Sequence, residues 1–145
     1  VLKDFDRPLN ERGLRDAPAM AKRLLEKDVA IDAFLSSTAN RAITTCNFFA
    51  EAYGKEKAVI TYKELYNAEP RIFSRVIKGT DDKLNSIAIF AHNPGITDFA
   101  NSLTNTRIDD MPTCAIFAVQ ADIEHWKDFE NAVKTFRFFD YPKNA

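Results

Sequence analysis

Two residues stand where a phosphate could be held or a proton moved. His92 directly follows the most apolar run of the chain, Ser86-Ile87-Ala88-Ile89-Phe90-Ala91, and precedes Asn93-Pro94-Gly95. That puts an imidazole at the carboxyl end of a strand, on a tight turn into a helix whose first backbone N–H groups favour an anion. A histidine so placed can donate to a phosphate oxygen or shuttle a proton; the alternative is a histidine that only hydrogen-bonds its turn. Arg41 lies in Ser36-Ser37-Thr38-Ala39-Asn40-Arg41-Ala42, just past a second strand end. A guanidinium in the first turn of a helix can fork two bonds onto phosphate oxygens, although most arginines are simply solvated. Ser37 or Thr38 is the expected helix cap. Other chemistry is poorly represented. His125, beside Trp126, reads as a surface residue. No His/Cys cluster has zinc spacing, and neither a P-loop nor GxGxxG occurs. Ser36, Ser37 and Ser102 lack the GxSxG turn of a serine hydrolase. Phe136-Arg137-Phe138-Phe139 reads as a core strand rather than a base-stacking surface.

The elements that must position these residues alternate between helix and strand. Asn10 caps a helix with Leu14, Ala17, Ala21, Leu24 and Leu25 at helical spacing, continuing through Pro18 as a bent helix to about Lys27. Ala30–Leu35 reads as a buried strand ending at Ser36-Ser37. A helix follows from about Asn40 to Ala52, closed by Gly54. Ala58–Tyr62 is a short strand. Glu69-Pro70 opens a helix to about Lys78, with Gly79 after it. Ser86–Ala91 has the continuous apolar character of a parallel strand covered on both faces. A helix spans about Ile96 to Leu103. Thr113–Val119 and Lys134–Phe139 are the last strands, with a loop or one helical turn near His125–Phe129 between them. This alternation predicts an α/β domain with a largely parallel sheet, one late strand being an antiparallel edge. Ligands of such sheets bind beyond the carboxyl ends of the strands, which is where Arg41 and His92 fall.

Composition bounds the rest. A length of 145 residues suits one domain spanning 1–145, and 46% hydrophobic residues suffice for a core. Twenty Lys+Arg against 21 Asp+Glu give a net charge of −1. That speaks against nucleic acid or an anionic membrane as partner. No apolar run approaches the ~18 residues of a membrane span. Cys46 and Cys114 have no CxxC spacing and read as buried free thiols, which points to a reducing compartment, the cytoplasm.

Three segments in order carry a resemblance: Asp4-Phe5-Asp6-Arg7-Pro8-Leu9-Asn10-Glu11-Arg12-Gly13, then Ser36 to Ala42, then Ala91-His92-Asn93-Pro94-Gly95. Together they resemble the histidine phosphatase superfamily, with its phosphoglycerate mutase-like fold, and within it the SixA-type phosphohistidine phosphatases. The resemblance implies a three-layer α/β/α sandwich with a mostly parallel central sheet. It implies that Arg41 is the second phosphate-clamping arginine and His92 the second catalytic histidine, with Asn93 beside it in the phosphate site. Thr38 and Thr44 depart from the Pro and Gln common in the family, while Thr45 matches. The implied reaction needs no metal and no cofactor. It passes through a phosphohistidine formed on a histidine of an Arg-His pair, and its substrate is a phosphohistidine-bearing protein or a small phosphorylated molecule. No Arg-His pair occurs in this sequence. With Val1 in the first position, an N-terminal strand carrying the pair is expected to precede it. The alternative is a pseudo-phosphatase that binds phosphate or phosphoprotein through Arg41 and His92 without turnover. Glu64 and Glu69 are the nearest carboxylates in order but are not expected to act as the acid. The loops Thr61–Arg71 and Thr104–Pro112 are expected to flank the pocket, with Arg71 or Arg107 reading an acidic partner or remaining on the surface.

Overall fold

A computed structural model describes residues 2–144. Five strands and four helices alternate as β1 (Ala33–Ser37), β2 (Val59–Tyr62), β3 (Ile87–Phe90), β4 (Ile116–Ala121) and β5 (Lys134–Asp140), with α1 (Glu11–Glu26), α2 (Asn40–Ala52), α3 (Pro70–Lys78) and α4 (Gly95–Leu103). β1 lies between β2 and β3, and both pairings are parallel. β4 and β5 form a separate antiparallel hairpin. Both late strands are therefore antiparallel to each other, where one antiparallel edge was expected.

Side chains alternate across the parallel sheet, as the pleat demands. Ala33, Leu35, Ile87 and Ile89 join the apolar cluster that contains α3 and α4 residues Phe73, Val76, Ile77 and Phe99. Phe34, Ala88 and Phe90 join the opposite cluster with Met20, Ala21 and Leu24 of α1 and Cys46 and Phe49 of α2. Helices thus cover both faces of the sheet, the three-layer arrangement. Phe34 and Leu35 are essentially fully buried, each worth ~1.5–3 kcal/mol over exposure.

Local signals explain most boundaries. The Asn10 side chain accepts from Gly13 N–H at 2.9 Å and starts α1. Pro18 sits inside α1. Gly54 leaves α2 with φ +65° and Gly79 caps α3. Four expectations need correction. β1 begins at Ala33, because Asp32 is committed to a corner: its backbone N–H donates to Ser86 O at 2.9 Å, and its carboxylate accepts from Asn85 N–H at 2.7 Å. β4 begins at Ile116, because Cys114 takes φ +66° and Ala115 N–H closes a turn on Pro112 O. Neither Ser37 nor Thr38 caps α2; its cap position is Ala39, whose N–H donates to Ser37 Oγ at 3.1 Å. β3 is only partly covered. Its free edge and that of β4 line one cavity of about 840 Å³, walled by Leu24, Ile31, Ile87, Ile89, Ile116 and Phe138.

Arg23 ties the end of β5 to α1. Its guanidinium donates to Asp140 Oδ1 at 3.0 Å and to the carbonyls of Tyr141, Pro142 and Asn144. Cys46 and Cys114 are free, Cys46 buried and Cys114 half-buried. Burial pushes their thiols up to about 12 and about 11. Among the described residues, no helix is long and apolar enough to cross a membrane.

Candidate active site

The register of the parallel sheet sets Ser36 beside Phe90. The carboxyl ends of β1 and β3 therefore lie side by side, and the segments that leave them diverge from one place. β1 leads into α2, whose second residue is Arg41. β3 leads through Ala91 and His92 into α4. No side chain caps the first backbone N–H groups of α2, so the positive end of that helix adds to the Arg41 charge.

His92 is held with its ring largely inside, its side chain 16% exposed. Neither ring nitrogen has a hydrogen-bond partner among the described residues. Buried polar nitrogens without partners are rare, because each forfeits its bonds to water; here two meet in one ring. Burial first, then the positive charge of Arg41, hold the imidazole below its usual 6.5, with the Asp4 carboxylate pulling the other way. The ring is therefore neutral near pH 7, and one nitrogen can donate while the other accepts. The turn below it is firmly braced. His92 O accepts from Ile96 N–H at 3.2 Å. Gly95 is buried, and a Cβ there would stand 2.4 Å from the carbonyl oxygen of Ala68. Only glycine allows that approach.

Arg41 is three-quarters covered, and its Nη1 donates to both Oδ1 and the backbone oxygen of Asp4, each at 3.1 Å. The other carboxylate oxygen of Asp4 accepts from the Tyr66 hydroxyl at 2.8 Å and lies 3.9 Å from His92 Nε2. Tyr66 packs against the imidazole with ring centroids 5.3 Å apart. Tyr66 and Arg41 together hold the Asp4 carboxyl below its ordinary range. Arg41 and His92, proposed from the sequence on separate grounds, thus meet around one small polar centre.

Asn93 is placed differently. Its side-chain amide donates to Asp110 Oδ1 and Met111 O, both at 2.9 Å, and its oxygen is engaged by the Thr97 hydroxyl. The side chain expected in the phosphate site is spent on bracing the loop 104–112 against the His92 turn. That loop and the one carrying Tyr66 both reach the site. Arg71 pairs with Glu69 at the surface, and Arg107 donates to Asn101 O. His125 is exposed and bonds Asp82 at 3.0 Å, away from this centre. Tyr66 escaped the sequence reading because it follows no helical or strand period; its loop position was the sole pointer. Asp4 was visible only as part of the N-terminal motif.

The profile of the histidine phosphatase superfamily (branch 1) matches residues 3–69. An uncharacterized protein of Mycobacterium tuberculosis strain H37Rv is 31% identical over 153 residues, covering 98% of this chain and 93% of its own length. An uncharacterized Mycobacterium leprae protein is 33% identical over 105 residues, covering 72% of this chain and 63% of its own length. Among solved structures, the protein histidine phosphatase SixA complexed with tungstate superposes with a TM-score of 0.84 at 22% identity, over 99% of this chain and 90% of that one. The SixA of Agrobacterium tumefaciens does so with a TM-score of 0.81 at 23% identity, over 97% and 87%.

Proposed function

The chain belongs to the histidine phosphatase superfamily, and from that premise we propose that it is a metal-independent phosphatase that hydrolyses phosphohistidine, or a small phosphomonoester, through a covalent phosphohistidine intermediate. The observation that carries the reading is the convergence of Arg41 with the two unpartnered ring nitrogens of His92 beyond adjacent strand ends. Three equatorial oxygens of a transferring phosphoryl group need donors and positive charge. Arg41 supplies a fixed cation and His92 a ring N–H. The tungstate bound by the similarly folded SixA is an oxyanion of the same kind.

In the first step a neutral imidazole nitrogen of the nucleophilic histidine attacks phosphorus. The bond from phosphorus to the leaving nitrogen or oxygen breaks, and that atom takes up a proton from solvent water. In the second step water attacks phosphorus and the new P–N bond breaks, freeing inorganic phosphate and the histidine. A phosphohistidine substrate makes a light demand for an acid, since its leaving group is an imidazole. Glu69 is engaged with Arg71 at the surface, in keeping with no acid role.

We assign the nucleophile to a strand with the Arg-His pair, seated between β3 and β4. Support comes from the two unpaired strand edges and the apolar walls of the cavity between them. Unpaired buried edges are otherwise costly. Arg41 and His92 are among the residues that line the cavity, so a strand seated there would deliver its histidine beside them. The partner in this reading is a phosphohistidine-bearing protein or a small phosphorylated molecule, and the two free thiols suit the cytoplasm.

The test is turnover of a phosphohistidine protein by the protein carrying that strand, with acid and base quenching of a labelled single turnover. The expected result is an enzyme-bound phosphoryl group stable to base and labile to acid. Saturable phosphate binding with no hydrolysis and no labelled enzyme would refute the reading.

A further inference from the structure

The Asp4 carboxylate sits among the groups assigned to phosphate. One oxygen takes a hydrogen bond from Arg41, and the other takes one from Tyr66 and faces His92 Nε2 at 3.9 Å. A carboxylate and a phosphoryl group ask the same thing of a site, namely convergent donors and positive charge. We propose that the Asp4 carboxylate occupies the place of the phosphoryl group and that Tyr66 is a third anion ligand of the site. The inference rests on reading Arg41 and His92 as the phosphate centre.

The geometry supports both halves. The gap from Asp4 to His92 is too long for a hydrogen bond, and His92 keeps both nitrogens unpartnered. A phosphoryl group carries one oxygen more than a carboxylate and has an atom to offer there. The Tyr66 hydroxyl already donates to an anionic oxygen at 2.8 Å, so replacing the carboxylate leaves it aimed at the newcomer. Its ring is fixed between the His92 imidazole and Phe5. Asp4 is the movable partner. It belongs to a single 3-10 turn, Asp4–Asp6, with no buried residue, and its own side chain is 54% exposed. Two anions cannot share one guanidinium and one hydroxyl without repulsion, so phosphate binding requires Asp4 to swing out. The resident carboxylate keeps Arg41 and Tyr66 in place and rejects weakly held anions.

The experiment is calorimetric titration of inorganic phosphate into the protein carrying the Arg-His strand and into its Asp4→Asn and Asp4→Asn/Tyr66→Phe variants, with circular dichroism to verify folding. Asn keeps the shape and removes the charge. Phosphate is expected to bind Asp4→Asn about fivefold more tightly than the unmodified chain, the scale of a half-exposed ion pair. Removing the Tyr66 hydroxyl from that background is expected to weaken binding by about fivefold. Unchanged or weaker binding in Asp4→Asn overturns the role of Asp4, and equal binding by the single and double variants overturns that of Tyr66. A bracing role for the pair would make both substitutions weaken binding. Failure of every folded variant to bind phosphate would instead sink the phosphate centre itself.

Discussion

Gly95→Ala is predicted to damage the fold and the site together. The added Cβ would stand 2.4 Å from the Ala68 carbonyl oxygen, 3.5 Å from its carbon and 3.6 Å from Phe73 Cε2. The obstacle is backbone, so no side-chain rotation relieves it. Ordinary contact starts at 3.4 Å, and the start of α4 must retreat from Ala68 by about 1 Å. Overpacking of that kind costs ~1–3 kcal/mol. For a domain of this size a loss of about 2 kcal/mol lowers Tm by roughly 4–8 °C. The retreat drags the His92 turn, because Ile96 N–H is bonded to His92 O. A displacement of ~1 Å can cost ~10²-fold in a rate; ground-state phosphate binding should weaken by roughly tenfold. The control is Gly54→Ala. There φ is +65° and no atom lies within 4 Å of the new Cβ, so the strain of ~1 kcal/mol should leave phosphate binding untouched. Thermal melts and phosphate titrations of both variants decide the matter. A Gly95→Ala protein that melts with the unmodified chain and binds phosphate equally well would refute the reasoning.

Three further outcomes follow. His92 is held below 6.5, so its contribution to stability is present above 6.5 and is lost as the pH falls through the folded value; in urea unfolding at stepped pH, His92→Gln should lose stability more slowly with acid than the unmodified chain. A bound anion lifts the imidazole back up, so sulfate should bind more tightly as the pH drops from 7.5 to 6, and His92→Gln should flatten that dependence in calorimetry. Arg23→Ala removes four bonds to the end of β5 and its tail and leaves the nearly buried Asp140 without its cation; about 1–2 kcal/mol of stability should go by urea titration, with sulfate affinity unchanged.

Much of this molecule is visible in the chain because short-range signals and tertiary structure agree. Asn40–Ala52 is a helix as its spacing predicts, since Ala42, Cys46 and Phe49 are its buried stripe and Cys46 and Phe49 cluster with Phe34 and Phe90. The places of Arg41 and His92 were legible because His92 closely follows one apolar strand and Arg41 lies in the first turn of the helix just past another. The errors arise where a distant bond decides. Ala30-Ile31-Asp32 has strand composition, but the Asp32 carboxylate holds the backbone of Asn85 and Ser86 and forms a corner. Cys114 is apolar and still takes a left-handed backbone. The Ile87–Phe90 run promises full cover, and an open edge toward β4 leaves it partial. Asn93 carries the right chemistry for phosphate, but Asp110 and Met111 claim its amide from 17 and 18 residues away. Tyr66 joins the site through Asp4, a partner 62 residues distant, which no local pattern announces.

The central claim is that Arg41 and His92 form a phosphate centre, and a phosphate-dependent melt of the protein carrying the Arg-His strand against its Arg41→Ala variant tests it most directly. At ~100 times its dissociation constant, phosphate should stabilise the unmodified chain by ~2.7 kcal/mol. Arg41→Ala should fold and show no such gain. An equal gain in both proteins, or none in the unmodified chain, would contradict the account.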